Sequence, residues 1–248
     1  MQPINFEIKK TNLYEEVAKN LEEMIVQNAN MLGQKLPSEQ SLANSFGVSR
    51  NVIRESMKLL KERGLITVRT GGGAYIARPE SDTLTSMIAR FVAMEGTDDV
   101  DVFDMRALLE VESCRLATAR CTDADLDALE HILRDIELYY EDHARRTELD
   151  IRFHTCIAEI SGNRLLALFV HSMADLLQSL IHGAMQATMN SDSVIPYHSR
   201  ILNAMRARDV DLAASIMKEH LEESRRRYMS VPEAERTRQV HSPRIFFN

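Results

Sequence analysis

Leu13, Val17, Leu21, Met24 and Ile25 share one face of a 3.6-residue repeat, with Glu and Lys opposite, which predicts an amphipathic helix over residues 12–28. Gly33 and Pro37 end that pattern. Ser38 then stands at an N-cap position, ahead of a short helix that buries Leu42, Ala43 and Phe46. Gly47 permits a tight turn, and Ser49 can cap a third helix with Val52, Ile53, Met57 and Leu60 on its inner side. Gly64 closes it. Residues 65–68 and 74–77 are β-formers on either side of Thr70-Gly71-Gly72-Gly73. Three helices and a hairpin in this order predict a winged helix-turn-helix.

Pro79 marks a boundary, and residues 82–94 predict a linking helix. After a Gly-containing acidic loop the pattern is helical almost throughout, with segments near 102–121, 123–143, 147–160, 163–189, 195–207 and 210–229. The expected fold is mainly α: a winged helix-turn-helix followed by an all-α bundle. Its expected parts are a DNA-binding domain at 1–78, a linker with a short helix at 79–101, a helical domain for metal and effector at 102–229, and a tail at 230–248. The tail is polar until Ile245-Phe246-Phe247.

Composition narrows the function. Six prolines and nine glycines in 248 residues leave room for long helices, and 44% hydrophobic residues suffice for a core. The opening MQPINFEIKK lacks the basic-then-apolar pattern of a signal peptide, and no run approaches a membrane span. Cys114, Cys121 and Cys156 form no paired motif, so reduced thiols in the cytoplasm are expected. The net charge of −7 is uneven: residues 1–78 carry 11 Lys and Arg against 8 Asp and Glu, whereas 79–248 carry 19 against 29. An acidic body with a basic head suits a protein that presents one end to phosphates.

The third helix begins Ser49-Arg50-Asn51-Val52-Ile53-Arg54. With its apolar residues inward, Arg50, Asn51 and Arg54 face outward, Arg50 and Arg54 one turn apart. Arg reads guanine and Asn adenine in the major groove, and Lys58 continues the face toward a phosphate. Arg69 flanks a glycine wing whose backbone can approach the minor groove. The bland alternative is a solvated charged face. The segment PSEQSLANSFGVSRNVIRESMKLLKERGLITVRTGGGAYI closely resembles the DNA-binding domain of the GntR family, and the match spans 12–77. That resemblance implies base contacts from Arg50 and Arg54, a wing tip at Gly71 and Gly72, and a homodimer on palindromic double-stranded DNA. One departure stands out: the family's basic residue after P-S-E is here Gln40, which can hydrogen-bond a base or phosphate without the charge.

Asp150 and His154 are spaced four apart, hence on one helix face. His198 and His220 flank the turn near Arg208–Asp209 at similar distances, so an antiparallel pair brings them to similar height. The four could converge on a divalent ion, or remain ordinary histidines and a carboxylate. His131, His143, His171, His182 and His241 are given no role. The pieces MRALLEVESCRLA and DIRFHTCIAEISGN, with the closing His198, Ala204, Asp209 and His220, resemble the FCD ligand domain of FadR-type regulators. The resemblance implies that Asp150, His154, His198 and His220 hold a metal, and the linking helix favours the seven-helix version; the ligand set itself suits zinc first and nickel or manganese next. Arg106 and Glu110 form either a structural pair or, through Arg106, an anchor for a small carboxylate effector. Asn163 is expected to cap the helix after it. The reading is a ligand-responsive transcription regulator, repressor or activator. Its alternatives are a regulator responding to metal alone and a metal-dependent enzyme, the latter lacking an evident general base.

Overall fold

The computed structural model describes residues 12–69, 72–77, 81–95, 98–188 and 194–232. It divides into two units, Met1–Thr83 and Leu84–Asn248.

In the first unit, α1 (Leu13–Gln27), α2 (Glu39–Phe46) and α3 (Arg50–Glu62) precede an antiparallel hairpin of β1 (Ile66–Arg69) and β2 (Gly73–Ile76). The caps form as the sequence predicts. Ser38 accepts from the Ser41 amide and Ser49 from the Val52 amide. Gly47 takes φ 65° at the end of α2, a conformation that costs other residues a steric clash. The core joins Leu21 and Ile25 of α1 to Leu42, Ile53, Leu60, Ile66 and Ile76. Ser56, fully buried, was not anticipated: its hydroxyl lies 2.8 Å from the Tyr14 carbonyl and fastens α3 to α1. The segment before Pro37 also joins the hairpin. Leu36 donates to Ala74 and Ile76 donates to Gln34, so the wing is backed by a third extended stretch.

The second unit is all helix among the described residues: α4 (Ser81–Glu95), α5 (Asp99–Arg120), α6 (Asp123–Leu138), α7 (His143–Ile160), α8 (Arg164–Thr188), α9 (Val194–Arg206) and α10 (Val210–Ser230). α5 is the central helix and packs against α7, α8, α9 and α10. One core unites Phe153, Ile157, Ile201, Met205 and Met217 with α5 and α6; a second unites Val92 of α4 with Phe103, Met173, Leu176 and Tyr228. Three expected boundaries move. α5 starts three residues early, because Asp98 accepts from the Val100 amide and caps it. α6 stops five residues early and α7 starts four residues early, because Asp142 accepts from the Arg145 amide and caps α7. Asn163 caps α8 as expected, its side-chain oxygen accepting from the Leu165 and Leu166 amides. No described helix is long and apolar enough to cross a membrane. The expectation of a tail anchored by Ile245-Phe246-Phe247 lies outside the described residues.

Candidate functional site

Two clusters of the predicted residues can be followed in the structure. The first lies on α3. Arg50, Asn51, Arg54 and Lys58 are all exposed, while Ile53 and Leu60 on the opposite side are fully buried. The amphipathic pattern thus turns the polar face out. Arg54 donates from Nη2 to Glu39 Oε2 at 3.1 Å, and Arg50 Nη2 lies 3.6 Å from the same oxygen. The hydrogen bond from Arg54, ahead of a weaker opposing effect of burial and then the Arg charges, holds the Glu39 carboxyl below its ordinary range. Lys58 pairs with Glu55 at 2.8 Å, and Gln40 donates to Asn44 along its own helix at 3.0 Å. Ser49, also expected to contact DNA, accepts from the Val52 amide at 3.4 Å as its cap, which leaves its own O–H available. In the wing, the Arg69 guanidinium stacks 4.4 Å from the Tyr75 ring centroid, and a side chain at Gly72 would press on Arg69. Gly71 lies outside the described residues.

The second cluster is buried in the helical unit. α7 supplies Asp150 and His154, α9 supplies His198, and α10 supplies His220. One donor atom from each lies within 4.8 Å of the others. The three Nε2 atoms form a near-equilateral triangle: 3.3 Å from His198 to His154, 3.3 Å from His198 to His220, and 3.2 Å from His220 to His154. Asp150 Oδ1 stands 3.4 Å from His198 Nε2 and has no hydrogen-bond partner. Burial, with the neighbouring histidines adding to it, keeps His198 and His220 well below the usual His pKa, so both are neutral. The three Nε2 atoms therefore face one another at close range beside a carboxylate oxygen that has no hydrogen-bond partner. A shared cation could satisfy all four groups. Nitrogens about 2.1 Å from a shared ion are roughly 3.0–3.4 Å apart at angles from octahedral to tetrahedral, and the observed separations fall in that interval.

Two supporting residues were not legible as such. Glu110 places Oε2 2.5 Å from His154 Nδ1, off the axis of the ring N–H, while Oε1 accepts from Arg106 Nε at 2.6 Å. Burial alone would raise the Glu110 carboxyl; Arg106 and then His154 outweigh it and hold it far below the usual range. Phe153 stacks on the His198 ring with centroids 4.2 Å apart. The spacing of Glu110 from Arg106 was visible in the sequence, but its reach to His154 on another helix was not. A space of about 20 Å³ separates Arg106, Glu110, Asp150 and His154 from Ala174, Leu177 and Gln178 of α8, enough for about one water. A larger groove of about 590 Å³ between α5 and α10, floored by Ala107, Val111 and Leu221, contains none of the predicted ligands. Of the histidines given no role, His143 meets Arg146, His171 meets Glu159 and His131 is exposed.

Residues 13–76 match the profile of the bacterial regulatory proteins of the gntR family, and residues 101–223 match the FCD domain. The HTH-type transcriptional repressor NanR of Citrobacter rodentium is 30% identical over 224 residues, covering 88% of this chain and 85% of that protein. The chain belongs to the GntR family. It is a DNA-binding transcriptional regulator of that family with an FCD domain. This GntR regulator is also 29% identical to LutR of Bacillus subtilis, over 76% of the chain and 89% of that protein. The Glc operon transcriptional activator of Escherichia coli K12 is likewise 29% identical, over 84% and 85%. Among solved structures, Streptococcus agalactiae GntR superposes with a TM-score of 0.66 at 29% identity, covering 86% of this chain and 99% of that one.

Proposed function

We propose that this regulator binds one divalent ion through Asp150, His154, His198 and His220, and that a small carboxylate beside the ion controls its hold on an operator. The observation that carries the metal is the triangle of Nε2 atoms with the unpartnered Asp150 oxygen beside it. The donor set, three imidazoles and one carboxylate, suits zinc first and nickel or manganese next. An ion with coordination positions to spare takes carboxylate oxygens readily. Arg106, on the same small cavity, is placed to meet a further oxygen of that anion.

The cavity is too small for an organic acid as it stands, so entry has to displace α8. Ala174 and Leu177 of α8 line the cavity, while Met173 and Leu176, with Leu177, pack in the core that holds Val92 of α4. Thr85 of α4 also donates to the Ser172 carbonyl at 3.4 Å. A ligand that moves α8 therefore moves α4, which leads toward the reader. Such a ligand regulates only through different affinities for the two arrangements. The small cavity equally favours a second reading, in which the metal alone is the signal.

On the DNA side, Arg50, Asn51 and Arg54 read bases, Lys58 and Gln40 serve the backbone or flanking bases, and Arg69 with Gly71 and Gly72 forms the wing contact. One recognition helix covers too few base pairs for genomic specificity, so the regulator acts in the cytoplasm as a homodimer on a palindrome. An exposed stripe on α4, Met87, Phe91 and Met94 at 58%, 62% and 84% exposure, supports self-association. The relatives include both a repressor and an activator by name, so the arrangement serves either sign of control.

Elemental analysis of the purified protein tests the ligand set. Wild type should carry one equivalent of metal, and His198→Ala and His220→Ala should lose it; undiminished metal in both refutes the assignment. A thermal-shift screen of hydroxy acids and sugar acids, run on metal-loaded and metal-free protein, then separates the two signals. A hit that needs the metal and changes operator affinity supports the carboxylate. Operator affinity that follows the metal and no acid supports the metal alone.

A further inference from the structure

The two arginines that begin α3 do not stand alone. Glu39 Oε2 reaches both, at 3.1 Å from Arg54 and 3.6 Å from Arg50, although it belongs to α2 and lies 15 residues before Arg54 in sequence. Glu39 itself is fixed at the base of its helix, immediately after the Ser38 cap. The arginine side chains remain 51% and 56% exposed, so the carboxylate takes only part of each guanidinium. Arg carries five donors in a rigid fork. With one Nη2 edge on the carboxylate, the remaining N–H groups of Arg54 are free in direction for a guanine. A carboxylate facing DNA repels phosphate, so its place between the two arginines needs a reason. The next residue brings no charge to offset it: Gln40 is neutral and turned along its own helix to Asn44.

We infer that Glu39 is a specificity-determining positioning residue, which holds Arg50 and Arg54 in the orientation that reads bases and keeps them from spending their charge on phosphates. This rests on the reading of α3 as the recognition helix. Two physical consequences follow. A long cationic side chain loses much rotamer freedom when it docks, and prior fixing by Glu39 removes part of that loss for the correct sequence only. The same carboxylate lowers the positive charge offered to any duplex, so it weakens sequence-independent binding, which is electrostatic. Glu39 therefore widens the gap between operator and bulk DNA from both sides.

The test uses the full-length protein. An operator is selected from a randomised duplex library with wild type, and affinity is then measured for that duplex and for poly(dA)·poly(dT) over a range of salt. Glu39→Gln is expected to bind the homopolymer several-fold more tightly and to steepen its salt dependence by about one counterion. Its ratio of operator to homopolymer affinity should fall roughly tenfold, the scale of one bidentate base contact. Glu39→Asp, which keeps the charge on a shorter arm, should retain the weak homopolymer binding but lose part of the ratio. In an Arg54→Ala background, Glu39→Gln should change the ratio little. An unchanged ratio and salt slope in Glu39→Gln, with a lower melting temperature alone, would show Glu39 to be only a tie between α2 and α3 and would overturn the inference. Loss of preference at a single cytosine would overturn it as well, since Glu39 would then read a base directly. If Arg50→Ala and Arg54→Ala leave the ratio intact, the recognition helix itself is misassigned; if they lower it and Glu39→Gln does not, only the role of Glu39 fails.

Discussion

Glu110 shows how one buried carboxylate serves two neighbours, since it balances the Arg106 guanidinium and steadies His154 in the interior of the helical unit. Glu110→Ala should destabilise the helical unit by about 3–5 kcal/mol, because it leaves a buried cation without its partner. Glu110→Gln keeps the shape and one acceptor, so its main effect should be a roughly 10–100-fold loss of metal affinity; thermal unfolding and metal titration separate the two. Cys114 offers a different check. Burial pushes its thiol up to about 12, so almost no thiolate exists at pH 8. Iodoacetamide should leave Cys114 unmodified in the native protein and alkylate it after unfolding, which peptide mass analysis reads directly. At this scale the sequence was informative where spacing along one helix decides neighbours, as for Asp150 with His154. It was silent where a side chain crosses between helices, as Glu39 does to Arg54 and Glu110 to His154, because the partner depends on packing that no local pattern records.

Helices were the most legible elements, since their apolar stripes and caps lie within the chain's own short range. Ser38, Ser49 and Asn163 act as caps where polar residues precede apolar runs. The end of α6 and the start of α7 were misplaced because Glu137–Asp142 holds neither Gly nor Pro, and a capping Asp amid many acids gives no unique signal. The third extended stretch behind the wing was missed for a related reason: residues 33–36 are too few to show a period, and only their pairing with β2 makes them extended. The joint of α1 with α3 can be tested by Ser56→Ala. The hydroxyl bonds the Tyr14 carbonyl from a fully buried position, and its removal should cost about 1 kcal/mol, seen in chemical unfolding of the reader unit with DNA contacts untouched.

The whole molecule combines a DNA-binding unit and a helical FCD unit that fold around separate cores, so calorimetry should resolve two transitions. Chelation should lower only that of the helical unit, by about 3–4 kcal/mol of stability for an ion present at 100 to 1,000 times its Kd. The metal-free protein should also respond to acid. His198 is depressed by burial and then by His154 and Arg106, and His220 by burial and then by His198, His154 and Arg106. The unfolded chain, titrating near 6.5, takes up protons that the folded one refuses, so stability is full above that value and declines as the pH falls below it; thermal scans from pH 8 to 5 would show it. The depth of the same cluster has a kinetic meaning as well. His198 is fully buried, and His154 and His220 are nearly so, so exchange of an ion held among them would wait for an opening of the fold, whether α8 lifting from the small cavity or α9 and α10 parting from α7. Residence would be timed by the breathing of the fold and not by the strength of coordination. Uptake of an isotopically labelled metal should then keep pace with the slowest amide exchange in those helices. If the proposed ion and effector both bind, the ion taken up on folding would outlast many cycles of effector arrival and departure.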